Sequence, residues 1–500
     1  MRKYILAIDQ GTTGTTAAIV NEKGVIIAKV NKEYPQIFPK PGWVEHDLTD
    51  IWASVDYTVD LVISKAKEFG FKSAKDISAI GITNQRETVA LWDRKTSEPI
   101  HNAIVWQCRR TSDFCKKHKR KESWLRKKTG LVMDPYFSGS KVRWLLENVK
   151  GAKQRAASGK LAMGTIDTYL LWKLTGGQVH ATDVSNASRT ALMNIKKMAW
   201  DAELLKFFSV PEAVLPEILP SSGVFGVTSG LGFLPDGIPI AGIAGDQQAA
   251  LFGQACFKSG DAKCTFGTGS FLLMNTGESA VSSKHGLLTT VGWQLEGEKK
   301  PTYVLEGSAF ICGAAVQWLR DNLNFIKESH EVEDLARQVE DAEGVEFVPS
   351  FTGLGAPYWE PEAKAMLCGL TRGSNKYHVA RACLEGMALQ NVDLLVAMEK
   401  DLKKKMNDLK VDGGAASNDL LMQLQANYLG RRVVRPAQIE TTVLGAAFLA
   451  GLAVGVWANK KEIKTIWEKD QTFKALISAK KRQDRIARWH KAIRSASTFI

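Results

Sequence analysis

A chain of 500 residues with 66 Lys and Arg against 53 Asp and Glu carries a formal net charge of +13, and its length exceeds what one hydrophobic core usually serves, so two or three domains are expected. With 45% hydrophobic and 24% charged residues, the composition excludes a disordered or fibrous chain. The seven cysteines, Cys108, Cys115, Cys256, Cys264, Cys312, Cys368 and Cys383, are odd in number and form no C-x-x-C pair; this argues against a disulfide framework and a zinc site and fits a reducing cytoplasm.

The first element, "YILAIDQGTTGTTAAIV" from Tyr4 to Val20, reads as an apolar strand ending in Asp9, a Gly/Thr turn and a second strand. Arg2 and Lys3 precede only Tyr4 to Ile8 before that acid, too short an apolar stretch for a signal peptide. A Gly/Thr turn can aim backbone N–H groups and hydroxyls at one point, and phosphate oxygens are the natural occupant. The chain contains neither G-x-x-x-x-G-K-[ST] nor G-x-G-x-x-G, so the P-loop and the dinucleotide fold are excluded. What remains is a phosphate cradle with Asp9 placed to hold a magnesium ion through its waters.

Next in order, "ISAIGITN" (Ile77 to Asn84) reads as a strand with Arg86 and Glu87 directly after it, where α/β proteins line a ligand crevice; an Arg/Glu pair bridging to each other is the plainer alternative. The basic run Lys116 to Lys128 reads as a solvated helix face, and no nucleic-acid motif accompanies it, so no nucleic-acid partner is expected. "SKVRWLLENVK" (Ser140 to Lys150) predicts an amphipathic helix. A Pro/Ser/Gly-rich stretch from Pro216 to Gly237 leads into "IPIAGIAGDQQAALFG", where Asp246 and Gln247 again stand at a strand end, with a helix cap as the alternative role for Asp246.

The segment "CTFGTGSFLLMNTG" (Cys264 to Gly277) echoes the first hairpin. Two such hairpins opening two halves imply a duplicated α/β domain with a cleft between the copies. "VDGGAASNDLLMQL" (Val411 to Leu424) predicts strand, turn and helix; Gly413 and Gly414 would admit a flat ring and Asn418 would reach a base or ribose, unless Ser417 or Asn418 merely caps the helix. "VLGAAFLAGLAVGVWA" (Val443 to Ala458) falls short of the roughly 20 residues of a membrane span and predicts a buried helix packed closely through Gly and Ala. No membrane insertion is expected. The second basic run, Lys480 to Arg494, reads as another solvated helix face.

In sum "DQGTTG", "GITNQRET", "AIVWQCRRT", "DPYFSGSK", "NASRT", "GIAGDQQAALFG", "FGTGSF", "FTGLGAPYW", "GLTRG" and "VDGGAASN" resemble the FGGY family of carbohydrate kinases, and within it the members acting on glycerol, in order from about Lys3 to Trp457. The resemblance implies an α/β fold of two actin-like, ribonuclease-H-like ATPase domains with a central cleft, divided at 1–252 and 253–500. It implies transfer of phosphate from ATP, with Mg2+, to glycerol, giving sn-glycerol 3-phosphate at the first step of glycerol catabolism, in a homo-oligomer (dimer or tetramer). Position by position, Arg86, Glu87, Tyr136, Asp246 and Gln247 match glycerol-contacting residues, and Trp106 and Phe271 match the aromatic wall beside its carbons. Thr12, Thr13, Gly14 and Thr16 match the first phosphate turn and Thr268 the second; Gly313, Gln317, Gly414 and Asn418 match positions around the rest of the nucleotide. Asp246 is the expected general base, and Asp9 with Asp246 the expected metal partners.

Two positions depart from the family pattern. Thr16 replaces a basic residue, and Glu360 stands where aspartate is usual, at an expected surface position. Phe225 to Ile240 contains no Arg, Lys or His, so neither the fructose 1,6-bisphosphate control nor the phosphohistidine control of some bacterial members is expected. A relative acting on a pentulose or sugar acid is the neighbouring alternative, and an actin-like ATP-binding assembly protein the distant one.

Overall fold

The computed structural model describes residues 4–360 and 362–498. Two large sheets organise the chain, and they share one topology. In the first, which is six-stranded, Tyr4–Gln10, Gly14–Asn21 and Ile26–Glu33 form an antiparallel meander; on the other side of Tyr4–Gln10 lie Ile77–Asn84 and Pro239–Gly245, both parallel to it, and Ser222–Val227 closes the edge antiparallel. The seven-stranded second sheet repeats this plan. Ala262–Phe266 and Ser270–Gly277 form its hairpin, extended by Thr302–Ala309 and Leu288–Trp293, while Leu409–Asp412 and Val433–Pro436 run parallel on the far side and Lys469–Phe473 closes the edge. The echo between the two Gly/Thr hairpins is therefore a repeat of architecture.

The strands are apolar on both faces because both faces are covered. Along Tyr4–Gln10, Leu6 and Ile8 join the core beneath helix Leu48–Ala66, whereas Ile5 and Ala7 face a second core shared between the halves. Asp47 caps the first of these helices, accepting from Thr49 N at 2.7 Å. Helix Thr441–Ala453 fills the shared core: it follows a strand of the second sheet in sequence, yet packs on Tyr4–Gln10, Ile77–Asn84 and Pro239–Gly245 of the first. Glycines make that approach possible. A Cβ on Gly445 would stand 1.8 Å from Ala249 O, and one on Gly81 2.2 Å from Ala446 O. The Gly/Ala-rich stretch is thus the buried helix expected of it as far as Ala453; the expected last five residues, 454–458, instead leave the helix in a turn with Gly455 at φ 69°.

A four-stranded side sheet of Glu45–His46, Ala103–Ile104, Val89–Asp93 and Leu161–Thr165 carries its own core with helix Ser138–Asn148, which begins two residues earlier than predicted. Of the two basic runs, Lys116, Lys117, Lys119, Arg120 and Lys121 are exposed as expected. The run in helix Ala479–Thr498 departs from expectation at one residue: Arg485 is buried, donating to Glu346 at 2.8 Å and to Glu385 at 2.8 Å. All seven cysteines are free, and Glu360 is exposed. Among the described residues no helix is long and apolar enough to cross a membrane.

Candidate active site

The first Gly/Thr turn is held from behind by a buried polar network. The Tyr34 hydroxyl lies 2.5 Å from Gly11 O and 2.9 Å from Thr12 O, and it accepts from Gln10 Nε2 at 2.8 Å and Gln85 Nε2 at 3.1 Å. Gln36 Nε2 donates to Thr12 O at 3.0 Å, and its Oε1 lies 2.8 Å from His46 Nε2. Burial pushes His46 down to about 4, so the ring is neutral at pH 7. With these carbonyls engaged, the N–H groups of Thr12 and Thr13 have no partner among the described residues, and Thr13 is exposed. Such a turn presents donors to an anion. Thr16 Oγ1 accepts from Asn31 Nδ2 at 2.9 Å, so a neutral pair occupies the position where the family carries a cation.

At the other end of the cleft the groups are charged and buried. Arg86, at the end of Ile77–Asn84, forms an ion pair through Nε with Asp246 Oδ1 at 3.1 Å and donates through Nη1 to Glu306 Oε2 at 2.5 Å and Gln248 Oε1 at 3.3 Å, and through Nη2 to Glu306 Oε1 at 3.0 Å. Glu87 does not bridge to Arg86; its Oε1 accepts from Arg189 Nε at 2.5 Å, and Arg189 Nη2 donates to Glu306 Oε1 at 3.0 Å. Glu87 stands at φ 62°, in the left-handed region, with its carbonyl held by Ser138 Oγ at 2.9 Å. A bulky side chain is costly there, and such strain gathers at functional sites. Burial works to lower the Arg86 guanidinium, but Glu306 and the neighbouring acids more than offset it and raise the group well above its ordinary range.

Asp246 opens helix Asp246–Gly253 with a half-exposed side chain, accepting from Gln247 N at 2.7 Å. Gln247 Oε1 accepts from Lys263 Nζ, and Lys263, fully buried, also donates to Thr265 Oγ1 at 2.7 Å. Gly245 is required just before: a Cβ there would stand 2.6 Å from Arg86 Cγ. The indole of Trp106 stands with its ring 5.6 Å from Tyr136 and 6.5 Å from Phe271, centroid to centroid, and donates through Nε1 to Thr12 Oγ1 at 2.9 Å. That bond ties the aromatic cluster to the first Gly/Thr turn.

The second turn is built differently. Gly267 O accepts from Gly313 N at 2.9 Å and Thr268 O from Cys312 N at 2.8 Å, which docks the turn on the start of helix Gly313–Asp321; a Cβ on Gly313 would meet Gly267 O at 2.8 Å. Thr268 is exposed, as is Gln317 one turn along the helix. Gly413, at φ 85°, backs onto Phe266 O, and the space beside Gly414 is open. Asn418 caps helix Asp419–Leu429, its Oδ1 accepting from Leu421 N at 2.8 Å, which leaves its amide nitrogen and one lone pair of Oδ1 for a ligand. The alternative reading of that residue as a cap is therefore realised.

Asp9 pairs in register with Thr16 and with Thr83. Burial, with the carboxylates of Asp246 and Glu440 adding to it, pushes Asp9 up to about 8, and the buried Thr83 hydroxyl has no partner among the described residues. Neighbouring acids that suppress each other's ionisation, beside an unsatisfied hydroxyl, fit a divalent cation. Among the described residues no group of three or more His, Cys, Asp or Glu side chains forms a metal cage.

The geometry thus links Thr12, Trp106, Tyr136, Phe271, Arg86, Glu87, Asp246 and Gln247 on one side and Thr268 with Gly313 on the other, with Thr13 beside Thr12 in the first turn and Gln317 one turn along the helix that Gly313 opens; among the described residues the side chains of Thr16 and Asn418 form no hydrogen bond with either group. Arg189, Glu306, Lys263 and the Tyr34, Gln36, His46 and Gln85 network were missed by sequence reasoning. Arg189 stands in "NASRT", and Glu306 is a charge inside the apolar strand "TYVLEGSA"; a lone buried charge in a strand was the available signal.

Comparison with known proteins identifies the family. The N-terminal domain of the FGGY family of carbohydrate kinases matches residues 4–253 and its C-terminal domain residues 262–454. The chain belongs to the FGGY family of carbohydrate kinases. It is 59% identical over 495 residues to the glycerol kinase of Bdellovibrio bacteriovorus, covering 99% of each chain, and 53% identical over 500 residues to that of Listeria monocytogenes, covering 100% of this chain and 99% of the relative. Among solved structures, that of Plasmodium falciparum glycerol kinase with ADP superposes with a TM-score of 0.92 at 37% identity, covering 100% of this chain and 99% of the other. A gluconate kinase from Lactobacillus acidophilus, at 23% identity and a TM-score of 0.89 over 100% of this chain and 99% of that one, shares the fold.

Proposed function

We propose that this chain is an ATP-dependent glycerol kinase, transferring the γ-phosphoryl group of ATP to glycerol to give sn-glycerol 3-phosphate and ADP. The observation that carries the reading is the buried Arg86, Glu87 and Asp246 constellation beside the Trp106, Tyr136 and Phe271 wall. A small polyol offers hydroxyls and little apolar surface, so charge-assisted hydrogen bonds must orient it. Arg86 has five N–H groups; three donate to Glu306 and Gln248, Nε forms an ion pair with Asp246, and the second hydrogen of Nη2 serves a hydroxyl. Glu87 Oε2, which has no partner among the described residues while Oε1 is held by Arg189, accepts from another.

Asp246 accepts the proton of the attacking hydroxyl as its oxygen bonds to the γ-phosphorus and the bond to the β,γ-bridging oxygen breaks, releasing ADP. General-base assistance contributes typically ~10²–10⁴ in rate; alignment and neutralisation do the rest in a loose phosphoryl transfer. Thr12, Thr13, Gly14 and Thr268 receive the phosphates, with Gly313, Gln317, Gly414 and Asn418 around the nucleoside and Thr16 a neutral neighbour. Magnesium, carried by the phosphates and held by Asp9 and Asp246, would neutralise charge on the transferred group. The aromatic wall occupies the space where a longer sugar's carbons would go, and closure of the two halves, divided near 252 and 253, would exclude water. We place the enzyme in the cytoplasm as a homo-oligomer.

ADP release measured across polyols, ketopentoses and sugar acids tests the reading. Glycerol is expected to give the highest kcat/KM. Equal or faster turnover of a ketopentose would overturn the proposal in favour of a relative on the same fold, and nucleotide hydrolysis indifferent to every acceptor, with filament formation, would favour an assembly ATPase.

A further inference from the structure

We infer that Glu306, with Arg189 as its relay, is a positioning residue for the acceptor-binding pair Arg86 and Glu87. This deepens the function proposed above and rests on it. Glu306 belongs to strand Thr302–Ala309 of the second sheet, whereas Arg86, Glu87 and Arg189 come from the first half of the chain. Its register partner is Leu273, and two residues on, Ser308 partners Phe271 of the aromatic wall. Leu273 and Val304 lie in the apolar core between the halves. A carboxylate has no business there without cations, because an uncompensated buried charge is strongly unfavourable.

The cations it finds are the ones that hold the substrate-facing groups. Both oxygens of Glu306 grip Arg86, at 2.5 and 3.0 Å, and Oε1 also accepts from Arg189 at 3.0 Å. Burial works to raise Glu306, and Arg189 and Arg86 outweigh it, holding the carboxyl below its usual range. The two-point grip fixes the plane of the Arg86 guanidinium, so that Nε meets Asp246 while the remaining Nη2 hydrogen keeps one direction. Arg189, pinned by Glu306 at one nitrogen, pins Glu87 Oε1 at another and leaves Oε2 for the acceptor. The row Asp246, Arg86, Glu306, Arg189, Glu87 alternates in sign throughout and joins the base to the acceptor ligand across the cleft. Of the row only Asp246 approaches the first turn, through its charge on Asp9, and among the described residues no hydrogen bond joins the row to either turn. Its action is accordingly confined to acceptor binding and orientation, and it makes the acceptor site complete only when the two halves are together.

Steady-state kinetics of Glu306→Gln and Arg189→Lys, with the wild type assayed alongside, test this. Glu306→Gln keeps the shape but loses the charge and one of the two acceptor oxygens; lysine at 189 cannot span Glu87 and Glu306 together. Loss of charged hydrogen bonds should raise the glycerol KM about tenfold or more in each, with the ATP KM within about twofold. Glu306→Asp, which keeps the charge, should recover part of the loss. A purely structural role would lower the melting temperature and the active fraction while leaving both KM values unmoved, and that result overturns the inference. Should Glu306→Gln fail to fold, the Arg189→Lys kinetics decide by the same criterion. A wild type that does not phosphorylate glycerol would instead defeat the underlying function, and this inference with it.

Discussion

In the proposed reaction the two ends of the cleft recognise their ligands by opposite means. At the acceptor end, Arg86, Glu87, Arg189 and Glu306 are buried, charged and paired before any substrate arrives. At the nucleotide end the working surfaces are backbone turns: Thr13, Thr268 and Gln317 are exposed, and the space at Gly414 is open. The difference follows from the ligands. Glycerol is small and neutral, so its orientation must be imposed by rigid side chains; a polyphosphate brings its own charge and metal, so it needs donors at the correct spacing more than it needs cations. Charge pairing therefore couples the acceptor end to stability, whereas the nucleotide end leans on the neutral network behind its first turn.

The largest test of that contrast is Arg86→Met. It removes the two-point partner of Glu306 and the ion-pair partner of Asp246, leaving Arg189 bonded to Glu306 and Lys263 as a nearby charge for both, and breaking a buried pair typically costs about 3–5 kcal/mol; denaturant titration should show a loss of that size together with loss of glycerol turnover. Stability equal to wild type would mean the acceptor charges are not mutually supporting. Thr268→Ala probes the other end: removing one phosphate donor should raise the ATP KM about tenfold with unchanged stability and glycerol KM. A shift in glycerol KM instead would merge the two ends that the comparison separates.

The smallest effect concerns the support behind the first turn. Burial holds His46 at about 4 in the folded chain, below the ordinary 6.5, so the unfolded state binds its proton first as pH falls. Stability linked to His46 is present above pH 6.5 and is lost as pH drops from there toward 4, with a slope of at most about 1.4 kcal/mol per pH unit. In His46→Gln the melting temperature should fall less steeply over that interval. An unchanged acid slope would place the ring outside the buttress.

The duplicated hairpins, the buried Gly/Ala helix and the ordering of Asp9, Arg86, Glu87 and Asp246 at strand ends were all legible in the sequence, because each has a local signature: a turn composition, a run of small residues, a charge that ends an apolar run. What was not legible depends on contacts remote in sequence. Glu306 lies 220 positions from Arg86, and only the packing of one half on the other brings them together. Arg485 looked like one more cation in a basic helix, but Glu346 and Glu385 wait for it on the surface that the helix covers. The His46 buttress escaped notice because neutral Gln, Tyr and His residues carry no periodicity or spacing that marks them as a network.

The account turns on Asp246 taking a proton from glycerol while fixed charges hold the alcohol in place. Replacing it by asparagine and measuring single-turnover phosphorylation of glycerol at saturating ATP is the direct test. The rate should fall by about 10²–10⁴ with ADP still bound normally; a variant that phosphorylates glycerol at the wild-type rate would contradict the account.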